Sequence, residues 1–600
     1  MVVTARVKAS AALLLCGAAA YANSFRVPFL FDDPLSTVDN PTLRRWATVF
    51  CPPHGQGITV EGRPILNASL ALNWAVSGPA VWSYHLLNLL IHLGSALLLF
   101  ALIARTLPLL AAFAAALLWT VHPVQTESVT YIVQRAESLM GLFYLLTRYC
   151  FVRFADLTSS DGPGSGTPGG VPLPNPSIRW GWLSVVCCLL GMASKEVMVS
   201  APLVVLLYDR TFLSGTFGAA LRRHGKVHAA LWCSLLLLAL LIYGSGSRGG
   251  TVGFHAGVGV WPYLQSQCHS LVRYLRLSFW PSPLIFDYGT QWFSGWAVVP
   301  SGLLLLLLLG LTLAGLPRRR WPRAAFLGVA FFLILAPTSS IVPGNRQTSA
   351  EHRMYLPLAC VIVLAVAGIV RAAGRRERGA ALALCLLAVP LGAATVRRNR
   401  DYRSAEALYR DVEAKLPSNA FVHYNLGKLL DESGRPAAGV AEYQQAIAGD
   451  PRMMYAYFNL GNAFSELGRP RDAEAAFRRA LDLNPNYAQA RYNLGNTLLQ
   501  QGRKAEAAEQ FNDAVQIDPA YVDARDNLGA VLLSLGRVPE AERQFLAVLQ
   551  LHPSPETYYG LGRIYRAQGR LPEARRAFAA ALGLDPTFTP ARQQLEDLFP

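Results

Sequence analysis

Long apolar runs separated by short polar segments fill the first two thirds of the chain. A helix needs roughly 20 apolar residues to cross the hydrocarbon core of a bilayer. About eleven runs approach or reach this length, near residues 5–23, 84–104, 107–121, 129–153, 180–194, 197–209, 229–244, 296–316, 324–337, 355–370 and 379–396. The pattern predicts an all-α, polytopic transmembrane bundle of about 11 spans, with the lipid bilayer as its surroundings.

The pattern changes near residue 400, where a repeat of 34 residues begins. Asn-Leu-Gly starts at Asn425, Asn459, Asn493 and Asn527, and Gly560 opens a fifth copy 33 residues later. This period is typical of the tetratricopeptide repeat (TPR), in which paired helices stack into a curved α-solenoid. We therefore predict a membrane domain over residues 1–400. Residues 401–600 are predicted to form a TPR solenoid of about five repeats with a leading helix.

Composition and charge agree with a membrane protein and set its orientation. The chain is 52% hydrophobic and only 15% charged, which is too apolar for an ordinary soluble domain. If the N-terminus is cytoplasmic, the inner loops collect the arginines that flank the spans, as the positive-inside rule requires. The net charge of +16 then reflects topology, so we predict no nucleic-acid partner.

This orientation assigns the loops to the two sides of the membrane. A long outer loop at 24–83 follows the first span, whereas residues 155–178, rich in glycine, proline and serine, are predicted to form a flexible inner loop. An odd number of spans places the solenoid outside the cytoplasm. Arg397, Arg398 and Arg400, at the outer end of the last span, are a local exception to the positive-inside rule.

The outer loop carries an acidic pair, Asp32 and Asp33, directly before Pro34. Charges close to membrane spans are costly and usually functional. Paired carboxylates suit general-base catalysis or a divalent cation. The alternative is an Asp-Pro turn that caps a helix. The sequence leaves open whether a divalent metal takes part.

Further polar residues fall at or near the predicted outer turns. Basic groups gathered at one interface would hold a phosphate through charge-assisted hydrogen bonds. The alternative is ion pairing among the same residues. The basic candidates are Arg135, Lys195, Arg273, His352 and Arg353, and the supporting polar candidates are His85, His122, Glu127, Glu196 and Glu351.

The four asparagines of the repeat form a ladder along the predicted solenoid. Asn425, Asn459, Asn493 and Asn527 occupy the same position of successive repeats. A side-chain amide both donates to and accepts from a peptide backbone. The ladder resembles the one that lines the superhelix of the nucleocytoplasmic O-GlcNAc transferase, which implies binding of an acceptor peptide. The alternative is that these asparagines tie neighbouring helices together.

Taken in order, the short motifs resemble the transmembrane and tetratricopeptide-repeat O-mannosyltransferases, within the wider type C glycosyltransferases. The motifs are Phe31-Asp32-Asp33-Pro34, Tyr84-His85-Leu86-Leu87-Asn88, His122-Pro123-Val124 with Glu127, Ser194-Lys195-Glu196 and Glu351-His352-Arg353-Met354-Tyr355, with the repeat array behind them. The resemblance implies a type C glycosyltransferase-like bundle in which Asp32 and Asp33 are catalytic. By the same analogy, Lys195, Arg273 and Arg353 would face the phosphate of a lipid donor.

The resemblance implies a polyprenyl- or dolichyl-phosphate-sugar-dependent protein O-glycosyltransferase. Such an enzyme would transfer mannose to Ser or Thr of a secretory or envelope polypeptide held by the solenoid. A catalytically silent membrane-anchored TPR scaffold is the alternative, and a transporter is disfavoured because we find no inverted repeats. The Ala-, Arg-, Gly- and Leu-rich composition favours a bacterial plasma membrane with the solenoid outside the cytoplasm. A eukaryotic owner would place the solenoid in the ER lumen.

Overall fold

The all-α prediction is confirmed. The structure, a computed structural model, describes residues 2–55, 58–160, 176–244, 259–316, 322–339 and 347–598. Over these residues the regular secondary structure is helical, and no β-strand occurs. The chain divides into two compact units, residues 1–417 and 418–600.

Helices α1 to α16 belong to the first unit. They are α1 (Val2–Tyr21), α2 (Asp33–Ser36), α3 (Pro64–Ser77), α4 (Trp82–Ile103), α5 (Leu109–Thr120), α6 (Thr126–Thr130), α7 (Arg135–Ser160), α8 (Pro176–Met192), α9 (Ala201–Tyr208), α10 (Phe217–Gly244), α11 (Val260–Phe279), α12 (Val299–Gly315), α13 (Pro322–Leu335), α14 (Pro357–Ala373), α15 (Glu377–Asp401) and α16 (Ala405–Lys415). A contiguous apolar core runs through the bundle.

Each apolar run of the sequence coincides with a helix, but their lengths differ. Among the described residues, six stretches are long and apolar enough to cross a membrane: Val3–Arg26, Trp82–Ile103, Glu196–Ser214, Phe217–Gly244, Gly295–Gly315 and Pro357–Asp401. The bent pair Leu109–Thr120 and Pro123–Thr130 is a seventh candidate, and two shorter apolar helices cover Ser177–Met192 and Pro322–Leu335. The count of about 11 spans therefore stays a prediction.

The bend between α5 and α6 has a local cause. Pro123 has no N–H to continue the helical hydrogen bonds, and the Nδ1 atom of His122 accepts the N–H of Val124 at 3.3 Å. The two helices are inclined by 48°. The bend lets the chain turn at the end of the bundle, where α6 carries Glu127.

Two segment boundaries differ from those predicted. Helix α7 continues to Ser160, into the segment 155–178 that we predict as a flexible inner loop, and residues 161–175 lie outside the described residues. Helix α16, predicted as the leading helix of the solenoid, lies within the first compact unit. The predicted boundary follows the drop in hydropathy after the last apolar helix, whereas the contacts of the folded chain extend the first unit to residue 417.

The second unit consists of antiparallel helix pairs. They are α17 (Ala420–Glu432), α18 (Pro436–Gly449), α19 (Met454–Glu466), α20 (Pro470–Leu483), α21 (Ala488–Gln500), α22 (Lys504–Ile517), α23 (Val522–Ser534), α24 (Val538–Leu551), α25 (Pro555–Ala567) and α26 (Leu571–Leu584), followed by α27 (Thr589–Leu598). Glycine lets the two helices of a pair approach closely: a Cβ at Gly495 would lie 2.6 Å from the buried ring of Phe511. The predicted TPR architecture is thereby confirmed.

Candidate active site

Turns that are far apart in sequence meet at one end of the first unit. The backbone N–H of His352 donates to Glu127 Oε2 at 2.9 Å, and His352 Nδ1 lies 2.6 Å from Glu127 Oε1. Lys195 Nζ lies 2.6 Å from Glu137 Oε1. Three of the predicted residues, Glu127, Lys195 and His352, thus form two adjacent buried pairs together with Glu137. Ion pairing, the alternative considered for these residues, is part of their arrangement.

Asp33 is built into the backbone of the first outer loop. Its Oδ2 accepts the N–H of Leu30 at 2.9 Å, and its Oδ1 accepts the N–H of Val133 at 2.8 Å. The side chain is 1% exposed, and burial raises the pKa of this carboxyl to about 8. Asp33 therefore joins the loop to the turn before α7, and each of its oxygens accepts a backbone N–H.

Asp32 has a more open setting than its neighbour. It is half-buried, its Oδ2 accepts a hydrogen bond from the Thr59 hydroxyl at 3.2 Å, and its backbone N–H donates to the Tyr131 hydroxyl at 3.0 Å. The preceding residue, Phe31, has a left-handed φ of 49°, a conformation that costs a non-glycine residue about 1–2 kcal/mol. Strain of this kind gathers at functional sites. Of the acidic pair, Asp32 is the more exposed carboxylate.

Arg135 is a structural residue in this arrangement. Its guanidinium is fully buried and donates to Asn88 Oδ1, to the Ser69 carbonyl and to the Tyr84 carbonyl at 2.5, 3.0 and 2.9 Å. These bonds join α3, α4 and α7. The structure does not bring Arg135 to a surface where a donor phosphate would bind.

The two histidines predicted as supporting groups also serve the fold. His85 is buried, and its Nε2 lies 2.8 Å from the Val27 carbonyl, which fastens the first outer loop to α4. His122 is buried at the α5–α6 bend. The His85 ring holds the first outer loop in place, and the His122 ring holds the bend between α5 and α6.

Lys195 and His352 lie in a buried electrostatic environment. Burial lowers the pKa of the Lys195 ammonium, which Glu137 partly offsets. Burial also lowers the pKa of His352, and the nearby positive charge of Lys195 lowers it further. The imidazole of His352 therefore favours its neutral form beside Glu127.

Glu351 forms the centre of a third buried set. Its Oε1 accepts the N–H of Ile285 at 2.5 Å and the hydroxyl of Tyr288 at 2.9 Å, and its Oε2 lies 4.0 Å from Arg398 Nη2. Burial raises the pKa of Glu351 to about 7, with Arg398 opposing that effect. Arg398 also pairs with Asp401 at 3.1 Å. One of the arginines that breaks the positive-inside rule is thus a buried ion-pair partner.

A cavity of about 350 Å³ lies beside this set and is lined by basic side chains. Arg273 Nη2 donates to Gln291 Oε1 at 2.6 Å, and its guanidinium lies 4.6 Å from the ring centre of Tyr288. Arg276 is exposed on the next turn of α11. The full lining is His269, Val272, Arg273, Arg276, Pro283, Ile285, Tyr288, Gln291 and Leu416. Of the predicted basic candidates, Arg273 lines this cavity.

The cavity wall reaches the neighbourhood of Asp32 through one short segment. Ile285 and Tyr288 line the cavity, and the ring of Phe286 between them packs against Phe31 at 5.9 Å and Tyr131 at 5.3 Å. Phe31 precedes Asp32, and Tyr131 accepts its N–H. The segment 285–288 therefore lies between the basic cavity and the residues that flank Asp32.

Arg353 and Glu196 have partners of their own. Arg353 is half-buried and donates to the carbonyls of Gln347 and Thr348 at 3.2 and 3.3 Å. Glu196 accepts from Arg63 at 3.2 Å, which ties the turn before α9 to the first outer loop. Neither residue lines the cavity described above.

The chain matches a repeat family model and is similar to several known proteins. The tetratricopeptide-repeat family model matches residues 395–453, 424–468, 458–522 and 527–587. The Mus musculus protein O-mannosyl-transferase TMTC4 is 28% identical over 488 residues, which cover 72% of this chain and 64% of the mouse protein. The Homo sapiens protein O-mannosyl-transferase TMTC1 is 26% identical over 497 residues, which cover 74% of this chain and 55% of the human protein.

The chain is similar to the TMTC protein O-mannosyl-transferases over most of its length. The resemblance predicted from the short motifs is thereby confirmed. The aligned part spans less than two thirds of the length of these TMTC relatives. Among solved structures, YrrB, a TPR protein with an unusual peptide-binding site, matches with 22% identity and a TM-score of 0.30, over 31% of this chain and 97% of YrrB.

Three of the four ladder asparagines contact the preceding tetratricopeptide repeat. The Nδ2 atom of Asn493 donates to Asn462 Oδ1 at 2.8 Å, and that of Asn527 donates to Asn496 Oδ1 at 2.9 Å. Asn459 Nδ2 lies 3.4 Å from the Tyr424 hydroxyl. Asn425, in the first repeat, donates within its own helix to the Phe421 carbonyl at 2.9 Å. All four asparagines are half-buried, so part of each side chain remains accessible to solvent beside these contacts.

Sequence reasoning missed several residues of this candidate site. Arg63, Tyr131, Tyr288 and Arg398 each contact one of the predicted residues. The signal for Arg398 is its position on the wrong side for the positive-inside rule. Nothing in the sequence around Tyr131, Tyr288 and Arg63 indicates a role, because each role depends on a turn that is distant in sequence and packs against the residue.

Proposed function

We propose that this chain is an integral-membrane protein O-mannosyltransferase. It takes mannose from a polyprenyl-phosphate donor and transfers it to Ser or Thr of a polypeptide held by the TPR solenoid, on the non-cytoplasmic side of the membrane. The observation that carries the proposal is the segment 285–288: Ile285 and Tyr288 line the cavity of Arg273 and Arg276, and Phe286 packs against Phe31, which precedes the half-buried Asp32. Homology with the TMTC protein O-mannosyl-transferases supports the same chemistry.

Asp32 would act as the general base. An acceptor hydroxyl is a poor nucleophile until its proton is accepted, and a positioned carboxylate contributes typically about 10²- to 10⁴-fold to such a step. The hydroxyl oxygen bonds to the anomeric carbon while the bond from that carbon to the phosphate oxygen breaks. The proton passes to Asp32, and the electron pair leaves with the polyprenyl phosphate.

Arg273 and Arg276 would receive the donor phosphate. Arginine binds phosphate oxygens through paired N–H groups, and charge that develops on the leaving group is stabilised where the cation is already in place. The cavity is open enough to admit a phosphate because Arg276 is exposed at its rim. The apolar faces of the bundle would hold the polyprenyl chain.

The two aspartates of the acidic pair would have different roles. Both oxygens of Asp33 accept backbone N–H groups. The pair therefore presents a single carboxylate, which suits proton acceptance better than two-carboxylate binding of a divalent cation.

The solenoid would bind the acceptor polypeptide in its concave groove. Stacked helical pairs form extended surfaces of this kind. Asn425, Asn459, Asn493 and Asn527 would accept or donate along the peptide main chain through the amide edges that the inter-repeat contacts leave.

The decisive experiment measures mannose transfer by the full chain in detergent. The donor is polyprenyl-phosphate-mannose, with GDP-mannose as a comparison, and the acceptor is a Ser/Thr-rich peptide. We expect Asp32→Asn to lower kcat by about 100-fold or more. Asp39→Asn is the matched control, since Asp39 is an exposed acid of the same loop.

Three results would separate the alternatives. Transfer from the lipid donor that is lost in Asp32→Asn and kept in Asp39→Asn supports the proposal. Equal transfer by wild type and Asp32→Asn would remove Asp32 from the chemistry. Peptide binding without transfer from either donor would favour the membrane-anchored scaffold.

A further inference from the structure

A second buried polar cluster lies away from the candidate active site. Asp209 Oδ2 is 2.8 Å from His224 Nδ1 and 2.8 Å from His228 Nε2. The three side chains are 0%, 5% and 1% exposed. One ligand atom from each lies within 4.8 Å of the others. Carboxylate and imidazole donors thus converge on a single point.

The cluster lies toward the opposite end of α7 from Arg135. The ring of Phe151 packs 4.9 Å from His228 and 5.6 Å from His224, and Phe154 lies 5.5 Å from His224. Phe151 follows Arg135 by 16 residues, which is about 24 Å of helix at 1.5 Å per residue. The cluster is therefore separate from the groups proposed to act on the sugar donor.

The backbone departs from regular helix at both contributing segments. Helix α9 runs into a wide π-type turn over Asp209–Ser214. Helix α10 is kinked at His224, where φ is −123° and ψ is 17°. Turns of the π type are frequent at functional sites. Here the two distortions place one carboxylate against two imidazoles.

The chemistry of this donor set matches a transition-metal ion. His224 and His228 are four residues apart, the spacing that places two imidazoles on one helical face at zinc sites. Zinc takes histidine nitrogen at about 2.0–2.1 Å and carboxylate oxygen at about 2.0–2.2 Å. The hydroxyl of Ser214 donates to Asp209 Oδ1 at 2.7 Å, which orients the carboxylate as the outer partners of metal ligands do.

The distances leave room for an ion with little movement. Three ligands at about 2.05 Å from a tetrahedral ion are about 3.3 Å apart. The observed 2.8 Å separations are those of hydrogen bonds. Binding an ion therefore requires Asp209 Oδ2 to move about 0.5 Å away from each imidazole nitrogen. The rings of Phe151 and Phe154 would keep bulk solvent away from the site and strengthen the interaction of the ion with its ligands.

We propose that Asp209, His224 and His228 bind a Zn²⁺ ion, with water at the fourth position. The ion fastens the end of α9 to α10, and its role is structural. Imidazole-rich sites favour zinc and its transition-metal neighbours over Mg²⁺ or Ca²⁺, so Mg²⁺ is the appropriate negative control.

The test uses the full chain in detergent, purified through a tag without histidine. The protein is treated with a chelator, reloaded with ZnCl₂ or MgCl₂, and its metal content is measured by mass spectrometry. We expect about one zinc per chain and no retained magnesium. X-ray absorption at the zinc edge should show a nitrogen and oxygen shell without sulfur, since the proposed ligands include no cysteine.

Variants assign the ion to its ligands. His228→Ala should weaken zinc binding by more than about 100-fold, and Ser214→Ala, which keeps all three ligands, should weaken it by about 10-fold. His552→Ala, which removes an exposed histidine of the second unit, should bind zinc as the wild type does. Wild type that takes up no zinc would overturn the proposal, as would a sulfur shell or full binding by His228→Ala.

Discussion

At the scale of single residues, Asp32 and Asp33 show how the same side chain acquires two roles. Asp33 is buried and accepts two backbone N–H groups, whereas Asp32 is half-buried and its carboxylate accepts a hydrogen bond from the Thr59 hydroxyl. The sequence identifies the acidic pair but cannot tell which member is the more buried. That difference arises from a contact with the turn at Val133, which is distant in sequence. Their substitutions should therefore differ in kind.

We expect Asp33→Asn to destabilise the fold. The amide retains one acceptor oxygen, so it leaves either Leu30 or Val133 with a buried N–H facing an NH₂ group, at a cost of about 1–3 kcal/mol. The thermal unfolding midpoint in detergent should fall, while Asp32→Asn should unfold near the wild-type temperature. An unchanged midpoint for Asp33→Asn would show that its two hydrogen bonds contribute little.

Glu351 predicts a pH dependence of stability. Burial raises its pKa from about 4.5 to about 7 in the folded chain, so the folded state binds the extra proton between these values. The stabilisation from this group is complete below pH 4.5 and is lost as the pH rises through 7. One pKa unit corresponds to about 1.4 kcal/mol.

Thermal unfolding of wild type and Glu351→Gln between pH 5 and pH 8 isolates this contribution. The wild-type midpoint should fall more steeply with rising pH than that of the glutamine variant, which stays neutral throughout. Parallel curves for the two proteins would mean that Glu351 keeps its ordinary pKa, held there by Arg398.

At the scale of secondary-structure elements, hydropathy and repeat spacing predict most of the helices. The apolar runs locate their helices because burial in lipid demands continuous apolar sequence. The 34-residue period locates the solenoid pairs because each pair is one structural unit. The extension of α7 to Ser160 was not predictable from its composition, since glycine and serine near its end indicate a loop.

The close packing within a repeat makes a prediction about glycine. Gly495→Ala would place a methyl 2.6 Å from the buried Phe511 ring, and overpacking of this kind costs typically about 1–3 kcal/mol. Gly583→Ala is the matched control, because that helical glycine faces open space. Circular dichroism of the full chain should show earlier helix loss for Gly495→Ala only. Equal melting of the two variants would contradict the packing argument.

At the scale of the whole molecule, sequence predicts which side a polar residue occupies better than which partner it meets. The positive-inside rule grouped Glu127, Lys195 and Glu351 on one side, and they lie at one end of the bundle. Their individual pairings arise from contacts across 58 to 225 residues of sequence. The Asp209 cluster was missed because Asp209 and its histidines fall within or beside apolar runs read only for hydropathy.

Arg398 makes the end of the last apolar helix depend on residues beyond it. Its guanidinium is 4% exposed and lies 2.7 Å from Asp411 in α16. Severing the chain where hydropathy falls, near residue 400, would strip this cation of its closest partner and leave it buried, a change that typically costs about 3–5 kcal/mol. A fragment that contains the bundle alone should therefore end after Pro417, so that it keeps the counterion of Arg398.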